Sequence, residues 1–79
     1  MARRAYRAEC QRRQSVEYCE CMTGGMAQAL APADLRTATA LLAHDLAGAE
    51  APPDLSADSV AAAREAAAQF EPSCRAYRQ

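Results

Sequence analysis

Four cysteines, Cys10, Cys19, Cys21 and Cys74, constrain this 79-residue chain more than any other feature. An even number of cysteines in a chain below about 100 residues reads as a disulfide framework, and such a framework needs an oxidising compartment. The rest of the sequence explains why cross-links are wanted. A short chain buries a small share of its surface. Hydrophobic residues make up 51%, but 21 of the 79 residues are alanine, beside six Leu, two Val, three Met, one Phe and three Tyr. An alanine methyl contributes far less than the ~1.5–3 kcal/mol of a buried Leu, Phe or Met. So thin a core does not alone offset the ordering entropy of the backbone.

Apolar residues recur at helical spacing in four segments. The first spans about 3–14 and pairs Tyr6 with Cys10 at i and i+4. Ser15 reads as the N-cap of the second, with Glu17 in its first turn. That segment, 16–31, carries the stripe Val16, Cys19, Met22, Met26 and Leu30. Segments 3–14 and 16–31 can also be read as one long helix. Gly24 and Gly25 each cost about 1 kcal/mol relative to Ala in a helix interior. They either bend the segment or let a neighbouring helix approach closely.

The third segment opens at Pro32, with Asp34 at its positive end, and stops at Gly48. Leu35, Ala38, Leu42 and Leu46 form its stripe, with Leu41 on the flank. A loop over 49–55 follows, containing Pro52 and Pro53. Ser56 caps the fourth segment. Val60, Ala63, Ala67, Phe70, Cys74 and Tyr77 step along it by three and four, and Pro72 is expected to kink or interrupt it near Phe70. The fold class expected is all-α: one domain over 1–79, a small bundle of three to four short helices stapled by two disulfides. No stretch approaches the ~18 apolar residues of a membrane span.

Four cysteines allow three pairings. Cys19 and Cys74 both lie on core stripes, and Cys21 points roughly 200° away from Cys19 on a helix. This favours Cys10–Cys21 with Cys19–Cys74. In one continuous helix Cys10 and Cys21 would sit about 16 Å apart, so the pairing requires a turn over 11–15. Cys10–Cys19 with Cys21–Cys74 is the rival, because both cysteines of Cys19-Glu20-Cys21 lie near the start of their helix.

The net charge of −1 is unevenly spread, with five Arg and one Glu in 1–13 and four Arg against nine acids in the remainder. Arg3, Arg4, Arg7, Arg12 and Arg13 scatter around a helix, and there is no Lys, so nucleic acid is not an expected partner. His44 falls opposite Leu42 and Leu46 and reads as a solvated surface residue.

The order Cys10, Tyr18-Cys19-x-Cys21, Leu30-x-Pro32-x-Asp34-Leu35 and a late Cys74 in an Ala-rich helix resembles a group of small exported proteobacterial proteins with no assigned activity. The resemblance covers most of the chain. It implies an exported, disulfide-bonded helical domain. The chain departs from the group at Gly24-Gly25, where bulkier helix formers are usual, which bears on the continuity of the second helix.

Only one His is present, so no Ser-His-Asp set exists, and no zinc-protease motif or phosphate-binding loop occurs. No catalytic residue, metal site or cofactor is expected. The function expected is that of a small exported, non-enzymatic protein-binding module of the inhibitor or immunity type, periplasmic or secreted. Asp34, Asp45, Glu50, Asp54 and Asp58 would meet a basic partner, and the thin core leaves a homodimer open. Two alternatives stand beside it. One is a thiolate carrier of Cu or Zn using Cys19 and Cys21 with Cys10. The other is a cytosolic, phage-type regulatory inhibitor with free thiols. It follows from the N-terminus, whose Arg residues precede no apolar run of a secretory signal.

Overall fold

A computed structural model describes residues 2–44 and 53–78. They form helices α1 (Ala2–Gln11), α2 (Val16–Ala29), α3 (Pro32–Ala43) and α4 (Ala57–Cys74), followed by a C-terminal 3-10 turn, Arg75–Tyr77. The fold is all-α, with two disulfides, and no strand occurs among the described residues.

Local chemistry sets most helix ends. The segments before and after Ser15 are two helices. The backbone turns over 12–14, where Arg13 N and Gln14 N both donate to the Cys10 carbonyl at 2.9 Å. Ser15 is extended, and its Oγ accepts from Tyr18 N at 3.2 Å, which satisfies an otherwise orphaned amide of α2. Ser56 does the same for α4, accepting from Ser59 N at 3.1 Å. Pro32 occupies the first turn of α3, where its missing N–H costs nothing. α2 runs unbroken through Gly24 and Gly25, ending at Ala29.

Pro72 does not interrupt α4 at Phe70; the helix continues to Cys74. It lies in the last turn, where its missing N–H removes a single backbone bond. Immediately after Cys74 the backbone tightens to 3-10 geometry.

The helices are arranged around one core in the order α1, α2, α4, α3. α1 packs on α3, α2 on α4 and α3 on α4, while α1 and α4 do not meet. Tyr6, Cys10, Cys19, Met22, Met26, Leu35, Leu41, Val60 and Cys74 are buried there with Ala38, Ala63 and Ala66. The stripes held only in part. Val16 is 56% exposed and Tyr77 50%, although both lie on the expected stripes. Leu41 is buried and Leu42 half-buried, the reverse of the flank assignment, because α3 packs against both α1 and α4. Residues 53–55 turn into α4. Leu46, Gly48 and the start of the 49–55 loop lie outside the described residues.

Candidate functional site

The disulfides are Cys10–Cys19 and Cys21–Cys74, with Cα atoms 5.6 and 5.7 Å apart. This corrects the favoured pairing of Cys10–Cys21 with Cys19–Cys74. The short turn after α1 brings its last residues beside the first turn of α2, so Cys10 meets Cys19. Cys21, about 200° further round α2, faces α4 instead. Cys19 is fully buried, as its stripe demanded, but against α1. No cysteine is free. The thiolates a Cu or Zn carrier would take from Cys19, Cys21 and Cys10 are therefore committed in this oxidised form. Among the described residues no group of three or more His, Cys, Asp or Glu is placed to hold a metal.

The Cys21–Cys74 bond fixes one end of the molecule. Just past Cys74, the 3-10 turn buries none of its residues. It is nonetheless held from several directions. Ser15, already capping α2, donates its hydroxyl proton to the Tyr77 carbonyl at 2.7 Å. The Arg78 guanidinium lies 5.6 Å from the centre of the Tyr18 ring. Arg75 and Arg78 both bond Glu71, at 2.7 and 2.9 Å. The Arg75 hydrogen bond first, and Arg78 next, hold the Glu71 carboxyl below the usual carboxylate range. Burial, then Glu71, raises the Tyr18 phenol, and Arg78 and Arg75 oppose the shift.

This end also carries the two exposed large hydrophobic residues among those described, Val16 and Tyr77. Ser15, next to Val16 in sequence, bonds the Tyr77 backbone, which places both residues at the same end. Two guanidinium groups share the single Glu71 carboxylate while remaining 66% and 45% exposed. This end therefore presents Val16, Tyr77 and two exposed guanidinium groups, with the exposed Glu17 beside Val16 in sequence.

The other sequence candidates are less concentrated. His44 is exposed, at the C-terminal end of α3. Asp54 and Asp58 are exposed, and Asp45 and Glu50 lie outside the described residues. Asp34 is half-buried and accepts from the Ser59 hydroxyl at 2.7 Å, with Thr37 Oγ1 also 2.7 Å from Ser59. It ties α3 to α4 rather than standing ready for a basic partner. A pocket of about 110 Å³, open to solvent on one side, is lined by Tyr6, Met26, Leu41, Leu42, Ala63 and Arg64 among others. Burial pushes the Tyr6 phenol up to about 12, with Tyr18 adding to the effect.

This end carries little signal in the sequence. The three-and-four spacing continues through Tyr77 and predicts it in the core, and nothing in that spacing announces a change to 3-10 winding. Ser15 was legible as a cap but not as a tether. The contact of Arg78 with Tyr18 has no sequence signal, since it joins residues 60 positions apart. No helix among the described residues is long and apolar enough to cross a membrane. Compared with family models, with curated proteins and with solved structures, the chain matches none.

Proposed function

We propose that this chain is an exported, disulfide-bonded, non-enzymatic protein-binding module that docks through the end formed by Val16, Tyr77, Arg75 and Arg78. Two disulfides in so small a fold support an oxidising, extracytoplasmic setting. The observation that carries the binding role is the 3-10 turn: it buries nothing, yet a disulfide, a hydroxyl bond and a cation–π contact hold it in place. Rigid presentation of exposed side chains contributes little to folding but lowers the entropy cost of docking. Tyr and Arg are the residue types that dominate binding hot spots. The exposed guanidinium groups of Arg75 and Arg78, which keep donors beyond those Glu71 takes, suit a protein segment with an apolar side chain flanked by carboxylates.

Photo-crosslinking in the cell that makes the protein tests this. A crosslinkable residue replacing Tyr77 should capture one discrete protein. The same residue replacing Ala61, exposed near the start of α4, should not. Charge reversal of Arg75 and Arg78 should reduce the Tyr77 capture. No capture at 77, or equal capture at both positions, sinks the proposal.

A further inference from the structure

The two disulfides differ in access. Cys10 is 2% exposed and Cys19 is 0%, so neither sulfur of that bond is open to an attacking thiolate. Cys74 is likewise 2% exposed, but Cys21 is half-buried, the one cysteine of the four with appreciable solvent exposure. Thiol–disulfide exchange requires contact with one of the two sulfurs, and its rate follows that access.

They also differ in the chain they close, with sequence separations of 9 and 53. Effective concentration falls roughly as the −3/2 power of loop length, so the shorter loop recloses about 14-fold more readily once both are loose. Finally, they differ in what they hold. Cys10–Cys19 joins two helices that contact each other and bury Tyr6, Tyr18 and Met22 alongside it. Cys21–Cys74 joins α2 to the last residue of α4, two helices that also pack on each other; beyond it the 3-10 turn is tied to α2 and Ser15 by the Ser15 hydroxyl bond and the Arg78 contact with Tyr18, and to α4 by the Glu71 pairs with Arg75 and Arg78.

From these differences we infer that Cys21–Cys74 is a redox latch: a thiol donor opens it first, releasing the C-terminal end while Cys10–Cys19 keeps α1 on α2. A thiolate attacks Cys21 Sγ, forming a mixed disulfide, and Cys74 Sγ leaves as the thiolate. A second thiol then attacks the donor's sulfur. The donor departs as its own disulfide, and Cys21 is left as a thiol. Two donor thiols are oxidised and one protein disulfide is reduced. Opening frees the turn that carries Tyr77. That last consequence, control of docking, rests on the proposed function above; the order of opening does not.

Graded glutathione redox buffers, followed by acid quench, alkylation and peptide mapping, test the latch. The expected result is a two-thiol species labelled on Cys21 and Cys74, appearing about ten-fold or more faster than label on Cys10 and Cys19. Hydrogen exchange on that species should show lost protection over 71–78, with 16–29 still protected. The Cys21→Ser/Cys74→Ser double variant should reproduce this pattern without reductant. First labelling of Cys10 and Cys19, simultaneous appearance of all four thiols, or full protection over 71–78 in the double variant would overturn the latch. If the latch opens first but crosslinking at position 77 persists undiminished, the docking role fails and the latch stands. If crosslinking is found and the bonds open in the other order, the reverse holds.

Discussion

Replacing Gly25 and Gly24 by alanine, one at a time, should move stability in opposite directions, although the two residues are adjacent in one helix. A Cβ on Gly25 would lie 2.6 Å from both Cγ and Cδ1 of Phe70 and 3.0 Å from Cδ2. Carbon atoms in contact sit about 3.5–4.0 Å apart, so this is a severe overlap. Cγ lies on the axis about which the Phe70 ring turns, so ring rotation cannot relieve it. Either the whole side chain swings out or α2 and α4 separate. Overpacking of this kind costs about 1–3 kcal/mol. The alanine returns about 1 kcal/mol of helix propensity, leaving a net loss of about 1 kcal/mol. At Gly24 no atom lies within 4 Å of the new methyl, so only the propensity gain of about 1 kcal/mol remains. The two variants should thus differ by about 2 kcal/mol, or roughly 8–16 °C in Tm for a domain of this size. Thermal unfolding of the oxidised proteins followed by circular dichroism reads this directly. Phe70→Leu should cost less in the Gly25→Ala background than alone, a coupling visible in a double-mutant cycle. Equal stabilisation by both alanines would refute the close approach of α2 and α4 at this point.

Cys74→Ser should destabilise by about 2–5 kcal/mol, as losing a native disulfide from a small domain does, measured by urea denaturation. Tyr6 titrates at about 12 rather than 10, so its burial stabilises the fold below pH 10 and that stability is lost as pH rises from 10 to 12. The loss should approach about 3 kcal/mol, and Tyr6→Phe should flatten it in alkaline denaturation. Thr23 Oγ1 is buried without a hydrogen-bond partner, so Thr23→Val should raise stability by about 1 kcal/mol in the same assay. His44→Ala should change stability by less than about 0.5 kcal/mol, as at other exposed sites.

Features fixed by a few consecutive residues were legible in the sequence. Ser15 and Ser56 announce helix starts because a hydroxyl reaching an amide three residues on is a local geometry. Pro32 marks the first turn of α3 for the same kind of reason. The all-helical class followed from periodicity, and the need for staples from the scarcity of large apolar side chains. What failed were assignments that depend on which helix faces which. Cys19 was rightly placed in the core, but periodicity gives only its direction, not its neighbour, and the neighbour proved to be α1. Leu41 and Leu42 exchanged roles because α3 contacts two helices, which turns a narrow stripe into a broad face. Tyr77 left the core when the backbone wound more tightly after Cys74. The docking end could not be foreseen, because it is assembled from the starts and ends of helices distant in sequence.

The connectivity of the cysteines carries the account of both the fold and the latch. Cys19 and Cys21 are separated only by Glu20, so cleavage after Glu under non-reducing conditions distinguishes the pairings. The account predicts that peptide 10–17 is joined to 18–20, and 21–50 to 66–79, with four alkylation sites appearing only after reduction. Peptide 18–20 joined to 66–79, or thiols alkylated before any reductant is added, would contradict it.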